Sequence, residues 1–225
     1  MNIVYSGTRN LYPCMKGAIA SLLEHNPEAK VYVLAEDDAL PFEFHGTVIN
    51  VSNQQYFPPN GPNRDNHFTY MAMLRVCTPE LIPEDRVIQL DVDTIVCDSL
   101  EEIWNTDLDG KWVSWCPEHL GIYHPYGPKY YNFGVAVMNL KQMREDHFTE
   151  FAVKMLNTKQ YPYIDQDIMN ILAVPDKTVD LPVRYNEAFC TGKTDNPAIV
   201  HFAGFHDWYT NDDVPRAFYR DLYKE

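Results

Sequence analysis

Val87-Ile-Gln-Leu-Asp91-Val-Asp93-Thr-Ile-Val96 runs as an apolar strand into two carboxylates held one residue apart. In an extended backbone residues i and i+2 project to the same side, so Asp91 and Asp93 converge on one spot. Two hard oxygen ligands at a strand end suit Mg2+ or Mn2+, and such a cation in turn suits a ligand carrying phosphate. The pattern alone is common. Asp-x-Asp recurs at Asp107/Asp109 and at Asp165/Asp167, and a short motif needs structural context before it carries a function.

The alternation around the strand supplies that context. Residues 3–5, 30–35 and 47–51 read as strands. Residues from Pro13 to about 24 read as a helix, with Pro in the first turn and Ala18, Ile19, Leu22 and Leu23 on one face. Residues 65–77 read as a second helix with Phe68, Met71, Ala72 and Val76 as its apolar stripe, and residues 86–90 as the strand that delivers the carboxylates. This order predicts an α/β fold with a mostly parallel central sheet flanked by helices on both faces. Ligands in such sheets gather outside the carboxyl ends of the strands, where Asp91 and Asp93 fall. Asp107/Asp109 instead lies in a polar turn before Gly110, and Asp165/Asp167 opens a helix.

Composition narrows the function. The 225 residues suffice for one well-packed domain, and 45% of them are apolar. A formal charge of −14 argues against nucleic acid or an anionic membrane as the main partner. A phosphate-bearing ligand bound to so acidic a chain needs a metal or a few placed cations to screen its phosphates. No segment approaches the run of about 18 apolar residues that spans a bilayer, and the N-terminus lacks the features of a signal peptide. The five cysteines form no Cys-x-x-Cys, which reads as reduced, mostly buried thiols in a cytoplasmic protein.

The second half is less regular. Residues 112–116 and 134–139 read as strands, and the segment 118–131 between them is rich in aromatic, Gly and Pro residues, a composition that stacks on sugar faces or packs locally. A strand at 198–200 leads into His201-Phe-Ala-Gly204-Phe-His206-Asp-Trp208, and a short helix starts near Pro215. His201 ends an apolar strand and precedes a Gly that permits close backbone approach. An Asp/Asp/His set leaves positions on a metal open for phosphate oxygens. Read from the residues alone, Tyr5-Ser-Gly-Thr-Arg-Asn10 is an ordinary strand-to-helix turn, and Asp165-Gln166 caps its helix.

Taken in order, these segments resemble glycosyltransferase family 8, the retaining glycogenin-like and galactosyltransferase-like enzymes of the GT-A fold. The resemblance rests on Asn2-Ile-Val-Tyr-Ser, Arg75, Leu90-Asp-Val-Asp-Thr-Ile-Val, Asn132-Phe-Gly-Val-Ala-Val-Met-Asn-Leu140, Tyr163-Ile-Asp-Gln-Asp-Ile-Met-Asn170, Leu181-Pro-Val-Arg-Tyr-Asn186 and His201-Phe-Ala-Gly204 with Trp208. It implies a single GT-A domain over 1–225, with a nucleotide-binding half (about 1–100) and a donor-sugar and acceptor half (about 101–225).

The resemblance also implies roles. Asp91, Asp93 and His201 hold Mn2+ or Mg2+ against the diphosphate of a UDP-hexose, UDP-glucose or UDP-galactose. Ser6, Thr8 and Asn10 line the uridine site; Arg75 and Asn132 reach the donor sugar or ribose. Asp165 and Gln166 lie beneath the anomeric carbon. A glycan, a protein or a small molecule is the acceptor. The hard step is departure of UDP. Gln166 steadies positive charge or orients the acceptor, while the leaving phosphate takes the acceptor proton. Double displacement with Asp165 as nucleophile stays open.

Three departures from the family pattern bear on this. No acid stands near Thr8; Phe133 replaces a small residue and is expected to narrow the donor pocket; and the family Lys after Gly204 is missing, leaving His206 as a weaker, pH-dependent contact to the diphosphate. The chain ends without a basic amphipathic tail, so the membrane docking of some relatives is not expected. Among rival readings, Gly7-Thr8-Arg9 resembles the Gly-Thr-Arg of sugar-nucleotide pyrophosphorylases, with Pro13 one residue out of register. A haloacid-dehalogenase-like phosphatase places its Asp-x-Asp strand near the N-terminus. A weakly active UDP-sugar binder is the non-enzymatic alternative.

Overall fold

The computed structural model describes residues 1–225 apart from 67, 120–125, 127, 128, 175, 206 and 225. In chain order its elements are β1 (Asn2–Ser6), α1 (Tyr12–His25), β2 (Lys30–Ala35), β3 (Gly46–Asn50), α2 (Tyr70–Leu74), α3 (Thr78–Leu81), β4 (Arg86–Leu90) and β5 (Thr94–Val96). They continue with α4 (Glu101–Trp104), β6 (Val113–Pro117), β7 (Tyr131–Asn139), α5 (Leu140–Glu145), α6 (Phe148–Leu156), α7 (Ile164–Ala173), β8 (Thr178–Asp180), β9 (Ile199–His201) and α8 (Ala217–Asp221).

Seven strands form one sheet in the order β3-β2-β1-β4-β7-β6-β8. The first four are mutually parallel, β7 runs against both β4 and β6, and β8 follows β6. Alternation along each strand splits the apolar side chains between two faces. Ile3, Tyr5, Val31, Val33, Ile88 and Leu90 pack under α1 and α4. Val4, Tyr32, Leu34 and Val87 pack with residues of α2, α5, α6 and α7. Both faces are therefore covered, as a mostly parallel sheet requires.

The reversal of β7 matters for the site. Leu90 pairs with Val135, and the Asp91 N–H donates to the Gly134 carbonyl at 2.8 Å. The first residues of β7 therefore sit beside the carboxyl end of β4. A second, two-stranded ribbon joins β5 to β9 with Thr94 opposite His201. Its Ile95 and Val200 are buried with Phe202, Trp208 and Val214, the cover that so short a ribbon needs.

Some expected boundaries move. The helix expected over 65–77 begins at Tyr70 and continues through a 3-10 turn at Arg75–Cys77 into α3. The residues before it are committed elsewhere. The Asn63 side-chain amide donates to the carbonyls of Leu156 and Lys159, and that of Asn66 to the Tyr161 carbonyl. Such side-chain bonds to the backbone compete with helix formation. β7 starts at Tyr131 rather than 134, and α5 and α6 occupy a stretch with no expected element. No helix among the described residues is long and apolar enough to cross a membrane.

Candidate active site

The tight turn after β4 presents Asp91 and Asp93, and the β5–β9 pairing carries His201 across to them. One ligand atom from each lies within 4.8 Å of the others. His201 Nε2 stands 3.3 Å from Asp93 Oδ1 and 3.8 Å from Asp91 Oδ2. The imidazole is buried, while the two carboxylates remain about a quarter exposed (26% and 25%), so the cluster reaches solvent through its carboxylates. Burial lifts the Asp93 carboxyl, but His201 beside it, a backbone N–H and the Arg75 charge together draw the group below the ordinary carboxylate range. Two hard carboxylates with one borderline imidazole nitrogen suit a divalent cation such as Mn2+ or Mg2+ and leave coordination positions free. By contrast, Asp107 accepts from the Asp109 N–H in an exposed turn at 3.0 Å, and these two are not among the residues that converge on a cation site.

Arg75 joins this cluster to the second carboxylate motif. Its guanidinium bonds Asp91 through Nη1 and Asp165 Oδ2 through Nε at 2.5 Å, and lies 4.9 Å over the ring of Phe133. Asp165 is 2% exposed; burial raises its carboxyl against the pull of Arg75. Asp165 therefore does not cap α7. Tyr163 is the N-cap and carries no side-chain cap bond, and its own N–H donates to Asp167 at 2.9 Å. Phe133 does not narrow a donor pocket either. Strand alternation turns it to the opposite face from Asn132 and Gly134, where it packs edge-on against Trp115 and supports Arg75 from below.

α7 is fastened to the start of β7 by side-chain amides one helical turn apart. Asn170 pairs with both backbone groups of Tyr131, at 2.8 and 2.9 Å. Gln166 Oε1 accepts from the Phe133 N–H at 3.0 Å, and its Nε2 donates to Glu118 at 3.3 Å. The Asn132 amide faces Gln166 and the Cys190 sulfur, while its oxygen accepts from Gly134 N–H and from Asn186. Sequence reasoning gave no role to Glu118, Asn170 or Asn186. Asn170 and Asn186 ended recognisable segments, but nothing local names their partners.

The turn after β1 reaches the same crevice. A Cβ built at Gly7 would lie 3.6 Å from Val92, the residue between Asp91 and Asp93. Ser6 ends β1, and Thr8 donates to Asn10 at 2.5 Å. An acid does stand here, from the end of β2: Glu36 accepts from the Arg9 N–H at 2.9 Å and from the Tyr70 hydroxyl at 3.0 Å. Gly204 adopts φ +82, a conformation that favours glycine, two residues after Phe202, whose N–H donates to the Asp93 carbonyl at 2.9 Å. His206 lies outside the described residues, as does most of the aromatic segment 118–131.

The structure thus brings Ser6, Thr8, Asn10, Arg75, Asp91, Asp93, Asn132, Asp165, Gln166, His201 and Gly204 to one edge of the sheet, at the carboxyl ends of β1 and β4. Comparison with known proteins points the same way. GlyD, a glycosyltransferase of Streptococcus pneumoniae, is 25% identical over 99% of this chain and 30% of its own length. A putative glycosyltransferase of Haemophilus influenzae is 24% identical over 76% of this chain and 58% of its own. The chain therefore spans less than two thirds of either relative. The crystal structure of the galactosyltransferase LgtC in complex with donor and acceptor sugar analogs superposes with a TM-score of 0.74 at 22% identity. That match covers all of this chain and 95% of LgtC, and it shows a shared GT-A fold. Residues 2–209 match the model of glycosyl transferase family 8, and the chain is a member of that family.

Proposed function

We propose that this glycosyltransferase moves a hexose from a UDP-sugar to an acceptor hydroxyl with retention of configuration. Asp91, Asp93 and His201 would hold Mn2+ or Mg2+ against the donor diphosphate. The convergence of those three side chains at the carboxyl edge of the sheet carries the reading. Bound there, the cation supplies Lewis-acid stabilisation of charge on the leaving diphosphate.

The protein's own groups do the rest. Ser6, Thr8 and Asn10 receive the uridine, with Glu36 as the nearby acid. Arg75 holds Asp91 and Asp165 in register, and Gln166 presents its amide to the donor sugar. Asp165 is almost wholly buried and ion-paired, which favours a front-face displacement over a covalent intermediate on that carboxylate. The glycine turn at Gly204 and, from its place in the sequence, His206 are assigned to the diphosphate. Residues 1–100 then chiefly bind nucleotide, while 101–225 bind sugar and a glycan, protein or small-molecule acceptor. Five free thiols suit a reducing compartment such as the cytoplasm.

Incubation with UDP-glucose, UDP-galactose and related donors in the presence of Mn2+ tests the proposal. Slow UDP release that disappears in Asp93→Asn supports it, and release that survives the substitution overturns the site. Pyrophosphate-dependent UTP formation would mark a nucleotidyltransferase, and metal-dependent donor binding without turnover a binding protein.

A further inference from the structure

Behind the cation cluster lies a chain of three buried polar side chains whose mutual contacts serve none of the roles above. Asn186 is fully buried, and Asn132 and His201 are 7% and 5% exposed. His201 Nδ1 lies 2.8 Å from Asn186 Oδ1; Asn186 Nδ2 lies 2.9 Å from Asn132 Oδ1; and Asn132 Oδ1 also accepts from the Gly134 backbone N–H at 3.0 Å.

The proton positions follow by elimination from the last contact. A backbone N–H only donates, so the Asn132 atom facing Gly134 is the carbonyl oxygen. The Asn186 atom facing that oxygen must then be the amide nitrogen, because two carbonyl oxygens at this distance repel. Asn186 therefore turns its own oxygen to His201, and Nδ1 of the ring must carry a hydrogen. Reversing either amide places two donors or two acceptors face to face in a buried site. When a cation takes the place of a proton between Nε2 and the two carboxylates it faces, the ring is neutral with Nδ1 protonated, and the lone pair belongs to Nε2.

We propose that Asn186, itself oriented by Asn132, is a positioning residue that holds His201 as the Nδ1–H tautomer with its Nε2 lone pair aimed at the cation site. The inference rests on the metal reading above. Partners of this kind fix the orientation of a ligating imidazole, and losing one typically costs about 10- to 100-fold in metal affinity. The backbone of Asn186 is itself anchored, since its N–H donates to the Val183 carbonyl at 2.9 Å and its carbonyl accepts from the Thr191 hydroxyl.

The test is Mn2+ affinity, measured by calorimetry and by electron paramagnetic resonance without any sugar nucleotide, alongside thermal melting of the metal-free proteins. Asn186→Leu keeps the volume and removes the acceptor, and Mn2+ binding is expected to weaken about 10- to 100-fold. Asn186→Asp, kept neutral by burial and protonated on the oxygen that faces Asn132, still accepts from Nδ1–H and is expected to recover most of that loss. Equal weakening by both variants would mark a merely structural role and overturn the proposal, as would wild-type affinity in Asn186→Leu. If Asn186→Leu does not fold, Asn132→Ala reads the relay one step back and must also weaken Mn2+ binding. A wild-type protein that binds no Mn2+ overturns the metal reading and this inference together, whereas wild-type binding with an unaffected Asn186→Leu overturns the relay alone.

Discussion

Gly134 lies directly against the imidazole of His201: a Cβ at position 134 would fall 2.7 Å from Nε2 and closer still to Cε1. The backbone there is ordinary β7 strand, so alanine meets no conformational penalty and the conflict is with the ring alone. Gly134→Ala should push His201 off the cluster and lower Mn2+ affinity at least about ten-fold with little change in secondary structure. Calorimetry and circular dichroism on the variant check this; unchanged affinity would count against His201 as a ligand.

Arg75 and Asp165 form a buried pair, with side chains 10% and 3% exposed. Removing one partner strands the other charge, which costs about 3–5 kcal/mol. Arg75→Met should therefore destabilise strongly, and adding Asp165→Asn should restore much of the loss. Urea unfolding of the two single variants and the double variant measures the coupling; additive effects would show that the contact contributes nothing. Glycosyl transfer should fail in all three.

Several surface carboxylates set the acid limit. Hydrogen bonds from Lys30 and then Tyr32 hold Glu84 below its usual range, and those from Lys177 and Trp112 do the same for Asp146. A carboxyl that is more acidic in the folded state stabilises above its unfolded pKa, about 4, and loses that contribution as pH falls through and below it. The melting temperature should therefore be level from about pH 6 to 8 and drop below about pH 4.5. Glu84→Gln should soften the drop, and an identical acid profile would remove Glu84 from the account.

Burial pushes the thiols of Cys116 and Cys190 up to about 12 and that of Cys14 to about 11. The thiolate is the reactive form. Ellman's reagent at pH 8 should react slowly with native protein and rapidly with all five thiols in guanidinium. A single fast native thiol would contradict the burial assigned to these cysteines.

The parts legible in the sequence were those fixed by local pattern. β4 falls on the expected residues because five residues of strand-forming character end at a charged turn, and the i, i+2 geometry of Asp91 and Asp93 needs no tertiary information. Other features depended on distant partners. Asp165 looked like a helix cap because its true partner, Arg75, lies 90 residues away. Phe133 looked like a pocket wall until strand alternation placed it beneath Arg75. Asn186 meets partners 15 and 54 residues distant, and no spacing announces them. α5 and α6 meet at His147, whose φ of 55 ends one helix just before the next begins, and no residue there marks the break in the sequence.

The β5–β9 ribbon has a consequence for the chain's dynamics. Three residue pairs hold it together, and one of its members, His201, lies 110 residues after Asp91. A cation gripped by Asp91, Asp93 and His201 closes that long loop like a clasp, so occupancy of the site suppresses local opening of β9. Amide hydrogen exchange at Ile199–His201 should slow on addition of Mg2+ while exchange in β2 stays as it was. On the proposed metal reading, loading the active site is, for this segment, the last step of folding.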